Sequence, residues 1–166
     1  EYWHEWCMAS AAEAVEGALG FTKFADSLGF AVFYITNRKK VFEEATIANL
    51  KTLGFPNADP EHCFFRTNES SKESRRAEIL ENYHIVMLVG DNLADFSNLF
   101  DDGTTASRKE QVQNLQSEFG RRFIVLPNVM YGNWLQSLVK ESEQMDDETG
   151  RTGLKSFLNA FEPGKE

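Results

Sequence analysis

Positive charge is scarce in this sequence. Of its 166 residues, 17 are Lys or Arg and 26 are Asp or Glu, which gives a formal net charge of −9 at pH 7. Nucleic-acid binding requires clustered basic residues that neutralise backbone phosphates, so this balance argues against a nucleic-acid polymer as a partner. A small phosphorylated substrate remains compatible with it, because a metal ion or a single lysine can reverse the local field inside a cleft.

Long apolar runs and cysteines are also scarce. No run approaches the roughly 18 apolar residues of a membrane-spanning helix, and no basic-then-apolar leader opens the chain, so we expect a soluble protein. The sequence opens on EYWHEW instead of Met, which suggests a mature or trimmed product. Its two cysteines, Cys7 and Cys63, lack the spacing of metal ligands, and we expect two buried free thiols rather than a disulfide.

Apolar segments of two kinds alternate along the chain. A length of 166 residues with 42% hydrophobic content is sufficient for one compact domain with a real core. Short apolar runs predict strands at 30–37, 62–65, 84–91 and 122–127. Helical periodicity covers 2–28, 41–55 and 70–82, and it returns after the polar stretch that begins at Asn92. Because parallel strands need crossover helices, this alternation predicts an α/β fold with a parallel sheet flanked by helices.

Two carboxylates follow the third predicted strand. The segment HIVMLVGDNLADF ends that strand at Gly90 and Asp91 and places Asp95 four residues later. A helical turn beginning at Asn92 would return Asp95 to the side of Asp91, and converging carboxylates form the hard-cation site that Mg²⁺ prefers. Ligands of such sheets bind beyond the carboxyl ends of the strands. The alternative is that Asp91 only caps the following helix.

Groups that suit an anion lie at the end of the first predicted strand, directly after Ile35. Thr36 and Asn37 offer a hydroxyl, an amide and backbone N–H groups, and Arg38 and Lys39 add positive charge just beyond them. The alternative interpretation of this Thr-Asn pair is an ordinary turn at the end of a strand.

A lysine lies at the start of the helix predicted over 70–82. Ser70 as the cap with Glu73 in the capping-box position places Lys72 in the first turn. The helix dipole disfavours a cation there, and a bound phosphate would explain the lysine better. The alternative is a solvated lysine, since Arg75 and Arg76 make the whole helix start basic.

Four segments together resemble a known family. In order and spacing they are similar to the class C acid phosphatases, which are bacterial lipoprotein phosphatases and 5′-nucleotidases of the haloacid dehalogenase (HAD) superfamily. The segments are FYITNRK, SSKESRRAEI, VGDNLADF and FIVLPNVMYGNW. The resemblance is clearest from Trp6 to about Trp134. It implies a HAD-like Rossmannoid sheet with a small, mostly helical cap, to which about 1–28 and 131–166 contribute.

The resemblance also implies roles for individual residues. Thr36 would bind the transferring phosphoryl group with Asn37 beside it, and Lys72 would neutralise the phosphate. Asp91 would ligate Mg²⁺ directly, and Asp95 would support the metal as a ligand or through a neighbouring group.

An aromatic residue in the last segment matches a substrate-binding position of the family. Tyr131 would stack on the base of a nucleotide substrate, which is physically reasonable because every base has a π-face. Packing in the core beside Trp134 is the alternative for this residue.

The family's first motif, Asp-x-Asp-x-Thr at the end of a strand, supplies the nucleophile, and it is not in this sequence. The segment MDDETG at 145–150 follows a polar, acidic stretch rather than an apolar strand, so we do not assign the nucleophile to it. We expect an upstream segment to complete the sheet and carry the motif, since without a nucleophile the site can only bind.

The expected function is a Mg²⁺-dependent acid phosphatase that hydrolyses phosphomonoesters such as nucleoside 5′-monophosphates through an aspartyl-phosphate. The 166 residues alone are expected to be inactive. A non-catalytic phosphate-binding or nucleotide-binding module is the alternative. The resemblance further implies a lipid-anchored location in the cell envelope and is compatible with a homodimer.

Overall fold

A computed structural model describes residues 2–101, 103–128, 132, 134–135 and 137–138. Their contacts divide the chain into two compact units, residues 1–75 and 76–166. The single domain expected over 1–166 stays a prediction, as does the cap, whose second part lies mostly outside the described residues. Within the described part of the chain, no helix is long and apolar enough to cross a membrane.

The first unit begins with two helices in the segment for which the sequence predicted mostly helix. Its elements are α1 (Tyr2–Met8), α2 (Ala18–Ser27), β1 (Tyr34–Lys39), a 3-10 turn (Lys40–Phe42), α3 (Glu43–Leu53) and β2 (Cys63–Arg66). The sequence predicted mostly helix over 2–28, and the structure agrees except at residues 9–17, which separate the two helices. Gly17 has a φ of 80° immediately before α2, a left-handed conformation that a helix cannot pass through. The buried Asn49 of α3 fixes the intervening chain, since its Oδ1 accepts from Ala12 N at 2.8 Å and its Nδ2 donates to Ala12 O at 3.0 Å.

Strands β1 and β2 pair in parallel, as predicted, but β1 is irregular. Tyr34 lies opposite Cys63 and Ile35 opposite Phe64, after which Lys39 lies opposite Arg66. Between the last two of these pairs, β1 contains more residues than β2. Such extra residues in one strand of a pair form a β-bulge. The bulge contains the segment Thr36–Arg38, so these residues leave the regular ladder.

A small apolar core holds the first unit together. Ile47 of α3 packs with Cys63 and Phe65 of β2, and the partly buried Tyr34 and Leu50 cover them. Helix α3 ends as predicted, with Gly54 in the left-handed conformation at φ 82°. Both cysteines are buried free thiols, which confirms that prediction.

The second unit repeats the strand, helix, strand order. Helix α4 (Glu73–Leu80) begins just before the unit boundary, and the following elements are β3 (Leu88–Gly90), two 3-10 turns (Leu93–Asp95 and Asn98–Phe100), α5 (Thr105–Asn114) and β4 (Phe123–Val125). Strands β3 and β4 are parallel, with Leu88 opposite Phe123 and Gly90 opposite Val125. Both are shorter than the runs predicted at 84–91 and 122–127.

Phenylalanines form the core under the first 3-10 turn. The rings of Phe96 and Phe123 stack with centroids 5.1 Å apart, and Phe119 meets each of them edge-on. Phe100 is fully buried. Because Phe96 directly follows Asp95, this aromatic packing anchors the turn that carries the predicted metal ligands.

Candidate active site

Thr36 lies in the bulge of β1, and its hydroxyl oxygen accepts a hydrogen bond from the backbone. Thr36 is partly exposed, and its Oγ1 accepts a hydrogen bond from the Arg38 backbone N–H at 3.1 Å. A hydroxyl whose oxygen is engaged in this way directs its own hydrogen elsewhere. The charge of Arg38 is held against α1 and α3, since its guanidinium lies 4.9 Å over the ring of Trp6 and donates to Thr46 Oγ1 at 3.1 Å.

Arg75 makes the largest set of polar contacts near the bulge. Its guanidinium donates to Thr36 O at 2.6 Å, to Asn37 Oδ1 at 2.8 Å, to Ser71 O at 2.7 Å and to Ser70 O at 3.3 Å. Only 8% of Arg75 is exposed, so it is not part of a solvated basic helix start. The sequence did carry a signal for this burial, because Arg75, Arg76 and the buried Ile79 recur at the helical interval of three and four residues.

Lys72 lies one residue before α4, so the expectation that it occupies the first helical turn is wrong. The helix begins at Glu73, and Ser71 rather than Ser70 supplies the hydroxyl near its start, since Ser71 Oγ accepts from Glu73 N at 3.3 Å. Lys72 is partly buried and directly follows the segment that Arg75 holds.

In the second unit, Asp95 organises the turn after β3. Its Oδ2 accepts from the backbone N–H groups of Asp91 and Asn92, each at 3.1 Å. Asn92 in turn accepts from Ala94 N at 3.3 Å, which completes a capping box. The capping role considered for Asp91 therefore belongs to Asn92. Asp95 does return to the side of Asp91, as its spacing predicted.

Two further residues hold Asp95 in place. A Cβ atom added to Gly90 would lie 2.5 Å from Asp95 Oδ2 and 2.6 Å from Asp95 Cβ, so only glycine fits beside this carboxylate. Arg76, which is 3% exposed, donates from Nη1 to Asp95 O at 2.8 Å. The position of Asp95 is thus determined by both its side chain and its backbone.

Asp91 is exposed and has a neighbour that the sequence interpretation missed. Asn128 donates from Nδ2 to Asp91 Oδ2 at 2.8 Å. A signal for this contact existed: Asn128 follows β4, the parallel neighbour of β3, and the carboxyl ends of paired parallel strands lie at one edge. Asn128 belongs to the segment FIVLPNVMYGNW, but the sequence interpretation assigned it no role.

The chemistry of these donors fits Mg²⁺. This ion is bound in proteins through one or two carboxylates and keeps several waters. Asp91 can ligate it directly, and Asp95 fixes the backbone from which Asp91 projects. Among the described residues, no group of three or more His, Cys, Asp or Glu side chains could hold a metal ion, so a site here depends on water and substrate oxygens for its other ligands.

A cavity of about 490 Å³ adjoins the turn within the second unit. Asp91 and Asn92 line one part of it, and its other walls include Trp134, Val112 and Lys109. Small-molecule sites in proteins range from about 300 to 1,000 Å³ and combine apolar walls with a few polar groups. The cavity has the size and lining to accept a small organic group next to Asp91.

The predicted site residues therefore fall into two sets. Thr36, Asn37 and Lys72 belong to the first unit, where Arg75 connects the segments that carry them. Asp91 and Asp95 form one hydrogen-bonded turn in the second unit. The convergence of both sets on one ligand stays a prediction, and Tyr131 lies outside the described residues.

Comparison with known proteins identifies the family. Residues 1–134 match the profile of the acid phosphatases that form subfamily IIIB of the HAD superfamily, and the chain belongs to this family. A structure of the class C acid phosphatase from Bacillus anthracis is similar over 96% of this chain and 67% of its own, with 34% identity and a TM-score of 0.84. The structure of the class C acid phosphatase from Bacillus anthracis with tungstate bound is similar over 96% and 68%, with 35% identity and a TM-score of 0.85. These matches confirm the predicted family and the α/β fold class.

Proposed function

We propose that the protein is a Mg²⁺-dependent phosphomonoesterase that acts on small phosphorylated substrates, nucleoside 5′-monophosphates among them. The reaction would proceed through an aspartyl-phosphate whose nucleophile lies outside the 166 residues. Membership of an acid phosphatase family supports phosphomonoester hydrolysis, and the superfamily generally uses a divalent metal ion. The finer points, which are the metal, the nucleotide and the nucleophile, are our inferences from the residues below.

The observation that carries the proposal is that Thr36 and Asn37 both have their acceptor atoms engaged. Thr36 Oγ1 accepts from a backbone N–H, and Asn37 Oδ1 accepts from Arg75. The hydroxyl hydrogen of Thr36 and the amide hydrogens of Asn37 are thereby directed away as donors. Together with the ammonium of Lys72, they supply donors of the kind that stabilise charge on transferring phosphoryl oxygens.

The relative with tungstate supports this assignment. Tungstate is a tetrahedral oxyanion, and one of the two Bacillus anthracis structures holds it. An anion of that shape needs the same kind of donors as a phosphoryl group. We infer that Thr36, Asn37 and Lys72 receive such an anion in this protein.

The second set of residues supplies the acceptors. Asp91 would hold Mg²⁺ with an oxygen that Asn128 does not engage, while Asp95 keeps the backbone of Asp91 in place through its hydrogen bond. When bound, the ion neutralises negative charge on the phosphoryl oxygens. The cavity beside Asp91 would take the organic part of the substrate, and Tyr131 stays a prediction for stacking on a base.

The test measures hydrolysis of an aryl phosphate and of nucleoside 5′-monophosphates by the full-length protein, with Mg²⁺ and after chelation. We expect turnover that requires the metal and is lost in Asp91→Asn. The matched control is Asp26→Asn, an equally isosteric change at an exposed aspartate of α2, which should keep wild-type turnover. Near-normal Mg²⁺-dependent activity of Asp91→Asn would contradict the metal assignment.

A second outcome decides between the two candidate functions. If the full-length protein binds tungstate or a nucleotide but hydrolyses no phosphomonoester, the chain is a non-catalytic phosphate-binding module. Residues 1–166 alone are expected to bind the oxyanion without turnover. The cell-envelope location and the homodimer remain proposals from the family resemblance, which fractionation of the source cells and sedimentation would test.

A further inference from the structure

We propose that Arg75 is a positioning residue for phosphoryl binding, an inference that rests on the proposed function. Its single guanidinium contacts two separate segments, the bulge of β1 and the chain at 70–71. These are the segments that carry the predicted phosphate ligands Thr36, Asn37 and Lys72. Arg75 itself need not touch the substrate, because its described contacts are with carbonyl and amide oxygens of the protein.

The contact with Asn37 determines what that side chain can offer. An arginine is a hydrogen-bond donor only, so the atom of Asn37 that faces it must be Oδ1. The observed distance of 2.8 Å from Arg75 Nη2 to Asn37 Oδ1 agrees with this orientation. Asn37 is exposed, and its Nδ2 is thereby turned away from Arg75 as a donor. Without the guanidinium the amide could flip and present an acceptor, which repels a phosphoryl oxygen.

The contacts with the carbonyl groups connect the bulge to Lys72. Arg75 donates to Thr36 O at 2.6 Å and to Ser71 O at 2.7 Å. Ser71 immediately precedes Lys72, so the same group fixes the backbone of both segments that carry the predicted phosphate ligands. Because Arg75 is 8% exposed, water cannot readily replace it, and its removal leaves acceptors without a buried partner.

Lysine cannot perform this role. The acceptors that Arg75 contacts are spread over two nitrogens of a planar fork, whereas an ammonium presents its donors from one point. A role that depended only on positive charge would survive Arg75→Lys, and a role that depends on the fork would not.

The first experiment compares wild type, Arg75→Met and Arg75→Lys in the full-length protein. Affinity for tungstate is measured by calorimetry, and kcat and KM are measured with an aryl phosphate. Since misplacement of positioned groups by about 1 Å can cost about 100-fold, we expect kcat/KM to fall by roughly that factor in Arg75→Met. We expect tungstate affinity to fall by about tenfold, which is the loss expected when about one hydrogen bond to a charged group is weakened. Arg75→Lys should recover little of either loss.

The control for general destabilisation is Asn49→Ala. Asn49 is also buried in the first unit and also bonds to backbone groups, namely those of Ala12, but it does not contact the bulge. The variant Asn49→Ala should lower the free energy of unfolding, while kcat/KM and the tungstate affinity of the folded protein stay at wild-type values. Equal losses of binding in Asn49→Ala and Arg75→Met would overturn the proposal.

The second experiment is a double-mutant cycle between Arg75→Met and Asn37→Ala. If Arg75 acts partly by orienting Asn37, the loss of tungstate affinity caused by Arg75→Met should shrink several-fold when Asn37 is already absent. Losses that simply multiply would show that Arg75 does not act through Asn37, and wild-type affinity in Arg75→Met would refute any positioning role.

These readouts separate the two proposals. If the wild type binds tungstate but hydrolyses nothing, the proposed enzymatic function fails, and the tungstate measurements still decide the role of Arg75. If the wild type is active and Arg75→Met is unaffected, only the role of Arg75 fails. Absence of both binding and hydrolysis in the wild type overturns both.

Discussion

Replacing Gly90 with alanine should displace Asp95 from the turn after β3. The new methyl carbon would lie 2.5 Å from Asp95 Oδ2, 2.6 Å from its Cβ and 2.9 Å from its Cγ. The first of these atoms accepts hydrogen bonds from the N–H groups of Asp91 and Asn92. Asp95 cannot withdraw easily, because Arg76 holds its carbonyl oxygen at 2.8 Å. Either the carboxylate leaves both N–H groups or the backbone at Gly90 shifts.

The size of the effect follows from these alternatives. Overpacking of a fitted site costs about 1–3 kcal/mol, and weakening a hydrogen bond to a charged acceptor adds about 1 kcal/mol or more. We therefore expect Gly90→Ala to lower the free energy of unfolding by about 2–4 kcal/mol. For a chain of this size each kcal/mol lowers Tm by about 2–4 °C. Urea denaturation followed by circular dichroism, together with the Mg²⁺ concentration for half-maximal activity, measures both consequences.

Two companion variants make the test specific. Gly20→Ala is the control, since nothing lies within 4 Å of a Cβ added there, and in the helix α2 alanine should be neutral or stabilising by about 0.5–1 kcal/mol. In the Asp95→Gly background all three of the colliding side-chain atoms are gone, so Gly90→Ala should cost little more. The reasoning is refuted if Gly90→Ala is as stable as the wild type, or if its cost is unchanged when residue 95 is glycine.

Three further predictions concern other parts of the chain. Asn128→Ala removes the donor to Asp91 Oδ2 and should raise the Mg²⁺ requirement by about 10- to 100-fold, as measured by metal titration of activity. Burial raises the pKa of the Cys63 thiol from 9.0 to about 11, so this thiol ionises first in the unfolded chain. Its contribution to stability should be present in full below pH 9 and be lost as the pH rises toward 11. Cys63→Ala should reduce this alkaline loss, the remainder coming from Tyr34, whose pKa burial also raises. Phe100→Ala empties a fully buried site and should cost about 3–5 kcal/mol in urea denaturation; a loss below about 1 kcal/mol would contradict its place in the core.

The sequence predicted correctly those elements in which the local residue pattern and the tertiary packing favour the same structure. The apolar runs at 30–37 and 122–127 contain β1 in part and β4 in full, and Gly54 ends α3 as expected. The break between α1 and α2 was missed because the segment is rich in alanine and glutamate, which favour a helix by their intrinsic propensity. What overrides that propensity is the long-range pair of hydrogen bonds from Asn49 to Ala12, which a local pattern cannot contain.

The donors and acceptors of the candidate site were accessible to sequence reasoning because their residue types define their chemistry. Their orientation was not. Thr36 and Asn37 follow an apolar run, but the bulge that removes them from the ladder depends on the register with β2. The sequence interpretation treated Arg75 only as part of a basic helix start, although its position relative to Ile79 placed it on the buried face of α4. Periodicity applied to charged residues would have corrected that interpretation.

The spacing of Asp91 and Asp95 has a consequence for how a cation would be bound. The sequence predicted Asp91 as a direct ligand and Asp95 as a ligand or a support. In the structure, Oδ2 of Asp95 already accepts from two backbone N–H groups. These two hydrogen bonds occupy the lone pairs of Oδ2, so this atom has less capacity left to ligate a cation. Asp91 is exposed, and Asn128 engages only one of its oxygens in the described contacts. We therefore propose that the two aspartates have different roles: the first would bind the cation, and the second would fix the backbone from which the first projects.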